Sequence, residues 1–105
     1  MSRNIGRNIN VDDTAIVNSM VETTDNNALT VLDANPDRLY VAISIKGQDA
    51  FIRFIPAATD TSERKGIFIK KDNTYELPTD NIYTGEISVI NSRNNRHPEI
   101  YVTEF

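Results

Sequence analysis

The chain has 105 residues, 11 of them basic and 15 acidic, for a formal charge of −4, and it contains no cysteine. That length carries a single core, and the acidic balance argues against a general nucleic-acid binder, which needs a basic stripe. Without cysteine there is neither a disulfide framework nor a thiolate metal site. No apolar run approaches the ~20 residues of a membrane span, and Met1 to Asn8 lack the apolar centre of a secretory signal. The expectation is a soluble product made in a cytoplasm.

Residues 1–13 read as an extended N-terminal arm ahead of one domain, 14–105. The arm is polar, with Ile5, Ile9 and Val11 at no sustained period. Arg3 and Arg7 are the only charges in the first ten residues, which leaves 9 basic against 15 acidic residues elsewhere. This is a basic arm on an acidic body. From Thr14 to Thr23 two patterns compete. Ile16, Met20 and Thr23 have helical spacing behind a cap at Asp12 or Asp13, whereas the β-branched content (Thr14, Ile16, Val17, Val21, Thr23) favours a strand. Asp25-Asn26-Asn27 is a turn, and Ala28 to Leu32 the next strand.

Asn35-Pro36-Asp37-Arg38 is a strong turn signal, because proline presets φ at the second position and asparagine suits the first. Leu39 to Lys46 follows as the clearest strand, with Leu39, Val41, Ile43 and Ile45 on the core face by period-two alternation. Ala50 to Ile55 is apolar on both faces and ends at Pro56, which cannot donate to a ladder. Ala57 to Gly66 reads as a polar surface loop. Ile67 to Lys70 and Thr74 to Leu77 are expected to pair as a hairpin across Lys71-Asp72-Asn73. Pro78 to Gly85 is a second loop, and Glu86 to Asn91 and Glu99 to Phe105 are the last strands, joined by Ser92 to Pro98. Asn26, Asn27, Asn35, Asn73, Asn81, Asn91, Asn94 and Asn95 all fall at expected turns; with only four glycines in the chain, asparagine takes over part of glycine's task. About eight short antiparallel strands at spacings near ten residues, with no convincing helix, indicate an all-β fold, a single β-sandwich or jelly-roll.

Catalytic patterns are not marked. His97 is the lone histidine, in a polar turn before Pro98, and reads as solvated. Asp12-Asp13 and Asp60/Glu63 lack the spacing of a calcium loop, there is no Gly-x-Ser-x-Gly elbow, and Gly6, Gly47, Gly66 and Gly85 are too scattered to cradle a phosphate. No catalytic, cofactor or metal residue is assigned, and the expectation is a non-enzyme without a cofactor. The basic groups Arg64-Lys65, Lys70-Lys71 and Arg93/Arg96 read first as solvated loop tips and edge-strand lysines that block stray pairing; the alternative is contact with an acidic neighbour or a phosphate.

Several segments together resemble a family. Asn35-Pro36-Asp37-Arg38-Leu39-Tyr40-Val41 resembles an "NPxR" turn-and-strand of small tailed-bacteriophage virion proteins. Ile55-Pro56-Ala57-Ala58-Thr59 is similar to the Ala/Thr loop of that family. Lys71 to Leu77 and Tyr83-Thr84-Gly85-Glu86-Ile87-Ser88-Val89-Ile90 resemble its hairpin and its "YTG-x-I" turn. Ile100-Tyr101-Val102-Thr103-Glu104 resembles its closing "V-x-V-T-E" strand. The resemblance covers roughly residues 28–105 and implies a virion structural protein, such as a decoration or cement protein that stabilises the head by bridging major capsid subunits. It implies a place on the capsid surface, and the fold suits a homo-oligomer such as a trimer on a local symmetry axis. The expected protein-contact residues are Arg3, Ile5, Arg7 and Ile9 in the arm, Arg64 and Lys65 in the 57–66 loop, and Arg93 and Arg96 in the 92–98 loop. The alternative is a tail, neck or fibre-associated sandwich that binds a receptor or carbohydrate, for which Tyr83 is the one aromatic offered by a loop.

Overall fold

The computed structural model describes the strand backbone of residues 17–22 and all of residues 26–105. The arm and its Arg3, Ile5, Arg7 and Ile9 lie outside the described residues. Eight strands follow in order: β1 (Val17–Glu22), β2 (Leu29–Leu32), β3 (Val41–Lys46), β4 (Ala50–Arg53), β5 (Ile67–Ile69), β6 (Asn73–Glu76), β7 (Ile87–Asn91) and β8 (Glu99–Glu104). A short 3-10 turn, Ala57–Thr59, is the one helical element among the described residues.

The strands form two four-stranded antiparallel sheets, ordered β1-β8-β3-β6 and β2-β7-β4-β5. The pairings obey a simple rule. The chain folds back at the β4–β5 connection, so that β4 pairs with β5, β3 with β6, β2 with β7 and β1 with β8. Two further pairings, β3 with β8 and β4 with β7, knit each sheet together.

One apolar cluster is shared by both sheets. Val41, Ile43 and Ile45 of β3 lie beside Ile100 and Val102 of β8, while the second sheet contributes Ala50, Ile52, Ile87 and Val89. Leu32 and Leu77 close its rim. Each branched side chain buried this way stabilises the fold by about 1.5–3 kcal/mol relative to exposure.

Three sequence expectations are corrected. Residues 67–70 and 74–77 do not form a hairpin: β5 pairs with β4 and β6 with β3, in different sheets. Alternation specifies a strand but not its partner, and each segment joins the sheet whose core row it extends, Ile67 beside Ile52 and Tyr75 beside Ile43. Leu39 is not in the core but 55% exposed, because Arg38, at 2% exposure, takes the inward position and breaks the alternation before β3 begins. Two of the turn asparagines lie in strands instead: Asn91 sits fully buried at the end of β7, and Asn73 opens β6, paired with Ile45. The substitution of asparagine for glycine does operate elsewhere: Asn26, Asn81 and Asn95, with Asp72, adopt left-handed backbone at φ 64–66°, a region these short polar side chains tolerate.

Every residue of β7 is buried. Ile87 and Val89 face the core, so Ser88 and Ile90 must be covered from the other side. The cover is the 54–66 segment, which crosses the outer face of the second sheet as a strap. The Ser88 hydroxyl donates to the Ile55 carbonyl at 2.8 Å, and the Ala28 N–H reaches the Thr61 carbonyl at 2.8 Å. Gly66 ends the strap at φ +109°, where a Cβ would stand 2.2 Å from the Ile52 carbonyl oxygen. Backbone cannot retreat as a flexible side chain can, so Gly66→Ala is expected to destabilise the protein by about 2–4 kcal/mol, through positive φ and the clash with β4. The urea midpoint measures it.

Candidate functional site

Two features that stand out in the sequence, the Asn35–Arg38 turn and the Tyr83–Gly85 turn, are bound to each other at one end of the molecule. Asn35 starts the first turn, its Oδ1 accepting the Asp37 N–H at 3.0 Å. The turn sends Arg38 inward. The Asn35 N–H donates to the Thr84 carbonyl at 2.8 Å. The guanidinium completes the link: Nε donates to Glu104 Oε2 at 2.6 Å, Nη1 to the Tyr83 and Gly85 carbonyls at 2.8 and 2.9 Å, and Nη2 to the Asp33 carbonyl at 2.8 Å. Both charges of the Arg38–Glu104 pair are shielded from water.

Gly85 leaves room for the Tyr83 ring, which folds back over it. A Cβ would lie 2.4 Å from the phenol oxygen. That hydroxyl lies 3.0 Å from both the Phe54 and Glu86 carbonyls, and the ring packs 5.1 Å from Phe54. Tyr83, the loop aromatic considered for a ligand, is thus tied into the turn. A depression of about 330 Å³ beside this end is lined by Thr30 to Asn35 and Glu104. Several of its polar groups are already engaged: Glu104 with Arg38, Thr30 with Glu86, Asn35 Oδ1 with Asp37.

A second buried arginine anchors the strap. Arg53 Nε donates to the Ser88 hydroxyl at 3.1 Å, Nη1 to the Glu63 carbonyl at 2.9 Å, and Nη2 to the Asp60 carbonyl. The Asp60 carboxylate accepts the Ser62 and Glu63 N–H groups at 3.3 and 3.0 Å and meets Lys65 Nζ at 3.4 Å. The Glu63 N–H bond, then those of Ser62 and Lys65, hold the Asp60 carboxyl below its ordinary value of 3.8 against the opposing effect of burial. Lys65 is raised, first by its hydrogen bond to Glu63.

The sequence-predicted contact residues divide. Arg64 is half-buried, donating to the Asn91 carbonyl and side chain at 3.0 Å each and to Asn94 Oδ1 at 2.8 Å. It therefore joins the 57–66 and 92–98 loops into one surface. Lys65, Arg93 and Arg96 are exposed on those loops, and the Arg96 carbonyl accepts from Asn91 Nδ2 at 2.8 Å. His97 is exposed. Sequence reasoning missed Arg38, Arg53, Asn91 and Glu104 as buried anchors. The available signal was a charge or amide embedded in an apolar strand, as in Ala50-Phe51-Ile52-Arg53. Among the described residues no group of three or more His, Asp or Glu is placed to hold a metal, and no helix is long and apolar enough to cross a membrane.

Comparison with protein-family models, with curated proteins and with solved structures returns no match, so function is argued from the residues.

Two outcomes are expected. Arg38→Met or Glu104→Leu alone costs about 3–5 kcal/mol, since each strands a buried partner, whereas the Arg38→Met/Glu104→Leu double variant costs less than the two single losses added; a urea double-mutant cycle reads the coupling. For Asp60 the folded pKa is lowered, so its contribution is complete above the ordinary value of 3.8 and is lost as pH falls through the folded value. Asp60→Ala should therefore lower the denaturation midpoint at neutral pH and converge with the wild type in strong acid.

Proposed function

We propose that this chain is a non-enzymatic virion structural protein, a jelly-roll β-sandwich that decorates a capsid and stabilises it by bridging major capsid subunits. The observation that carries the reading is the strand order, β1-β8-β3-β6 over β2-β7-β4-β5, in which the fold-back pairs wrap into two sheets. This is the order expected of an eight-stranded double Greek key, an architecture used by viral shell domains. The step from architecture to role is an analogy, and the resemblance of the Asn35–Val41 and Tyr83–Ile90 segments to tailed-phage virion proteins supports it. Their mutual bonding through Arg38 gives those segments a common structural reason to occur together.

In this reading the protein works by multivalent contact. Each subunit adds a weak contact, and many fixed on one shell act at high effective concentration. The contact elements are the basic arm, with Arg3, Ile5, Arg7 and Ile9, and the joined loops that present Lys65, Arg93 and Arg96. A homotrimer on a local three-fold axis suits such a surface. A place at the tail, neck or fibre is the second reading.

The test removes residues 1–12. The truncated protein should keep its folded spectrum and pellet with purified empty heads of the encoding particle at least about tenfold more weakly than the full chain, a loss of about 1.4 kcal/mol. Equal pelleting overturns the role of the arm. Mass-spectrometric copy numbers separate the two positions: hundreds per particle for a shell protein, about a dozen for a neck or tail component, as shell and axial symmetries require.

A further inference from the structure

We propose that the outer face of the β1-β8-β3-β6 sheet carries a shallow site for a neutral pyranose sugar, centred on Ser44 and Tyr101. The inference is independent of the shell assignment. It begins from an asymmetry between the two sheets. The strap covers Ser88 on the outer face of the β2-β7-β4-β5 sheet and leaves Phe68 of the edge strand exposed, whereas on the other sheet Ala42, Ser44, Lys46, Thr74, Glu99 and Tyr101 are half-buried or exposed.

Register brings the needed groups together. Ser44 lies between Tyr101 of β8 and Thr74 of β6, and Lys46 lies beside Glu99. Cross-strand neighbours on one face stand about 5 Å apart. The Ser44 and Thr74 hydroxyls are 2.6 Å apart, and the Tyr101 hydroxyl donates to Glu99 Oε1 at 2.9 Å, which ties down a ring that remains 39% exposed. Beside Ser44, on the side away from Tyr101, lies a depression of about 140 Å³ lined by Ser44, Ile45, Lys46, Asp72, Asn73 and Thr74. Its rim is held in place: Asp72 Oδ1 accepts the Gly47 N–H at 3.3 Å, and Asn73 Nδ2 donates to the Lys70 and Lys71 carbonyls at 3.3 and 3.1 Å. Asp72 Oδ2 and Asn73 Oδ1 remain as acceptors.

The chemistry selects the ligand class. An apolar ligand would need an apolar, enclosed pocket, and this one is shallow and hydroxyl-lined. An anion would meet one cation, Lys46, against Asp72 and Glu99. A sugar ring fits both requirements at once. Its C–H face would lie against the exposed Tyr101 ring, whose hydroxyl is tied to Glu99, and its hydroxyls both donate and accept, matching the Lys46 ammonium, the carboxylate and amide oxygens, and the Ser44 and Thr74 hydroxyls. Tyr83 cannot serve this purpose because its hydroxyl and ring are engaged in the turn.

The test is an amide-resolved NMR titration of the full chain with the methyl glycosides of glucose, galactose, mannose and N-acetylglucosamine. At least one sugar should cause saturable shifts at Ser44, Lys46, Thr74 and Tyr101. Tyr101→Ala should weaken that binding about tenfold, while Phe68→Ala, which removes a more exposed aromatic from the other sheet, leaves it unchanged. Should Tyr101→Ala lose its dispersed spectrum, Lys46→Ala is the substitute and should weaken binding several-fold. The proposal is overturned if none of the four sugars produces saturable shifts on this face, if the alanine variant of the site binds as the wild type does, or if Phe68→Ala weakens binding equally. Sugar binding without attachment to heads would retain this site and remove the shell role, and the converse result would do the opposite.

Discussion

The buried Arg38 guanidinium is the constraint on which one whole end of the molecule depends. Withdrawing such a charge from water costs several kcal/mol unless nearly every donor finds an acceptor. Here the acceptors come from three places in the chain: the Asp33 carbonyl after β2, the Tyr83 and Gly85 carbonyls before β7, and the Glu104 carboxylate at the end of β8. Satisfying one side chain therefore holds two turns and the closing strand in a single arrangement. The outward displacement of Leu39 follows from turning Arg38 inward.

Arg53 applies the same logic to the strap. Its donors meet backbone carbonyls at Asp60 and Glu63, so an irregular polar segment acquires a fixed course over the second sheet. The strap in turn buries Ile90 and Ser88, which makes β7 a strand covered on both faces. The two sheets consequently meet their surroundings differently. One is already occupied by the protein's own chain, and the other presents tyrosines, hydroxyls and carboxylates outward.

Much of the architecture was legible because alternation is a local signal. Val41, Ile43 and Ile45 on one face, or Ile100 and Val102 on one face, need no knowledge of a partner. Asn26, Asn81 and Asn95 were readable as turns for the same reason, since a left-handed backbone is a property of one residue and its neighbours. The pairing of β5 and β6 was not legible: the short Lys71–Asn73 link imitates a hairpin, and only competition among core rows sends its two flanks to different sheets. The 57–66 and 92–98 segments were legible as loops, but the bonding of Arg64 to Asn91 and Asn94 spans 27 and 30 positions of sequence and leaves no local trace.

By itself the sequence determined an all-β domain, the positions of most strands and the residues that turn the chain, because propensity and period act over a few neighbouring residues. Tertiary structure alone decided which strands pair, which face of each sheet is covered, and which charges are interior. Those outcomes depend on long-range burial and on acceptors supplied from distant segments, as when Arg38 meets Glu104 across 66 positions of chain. Tyr101 illustrates the division: alternation sets it on the opposite face from Ile100 and Val102, but only the assembled sheet places it beside Ser44.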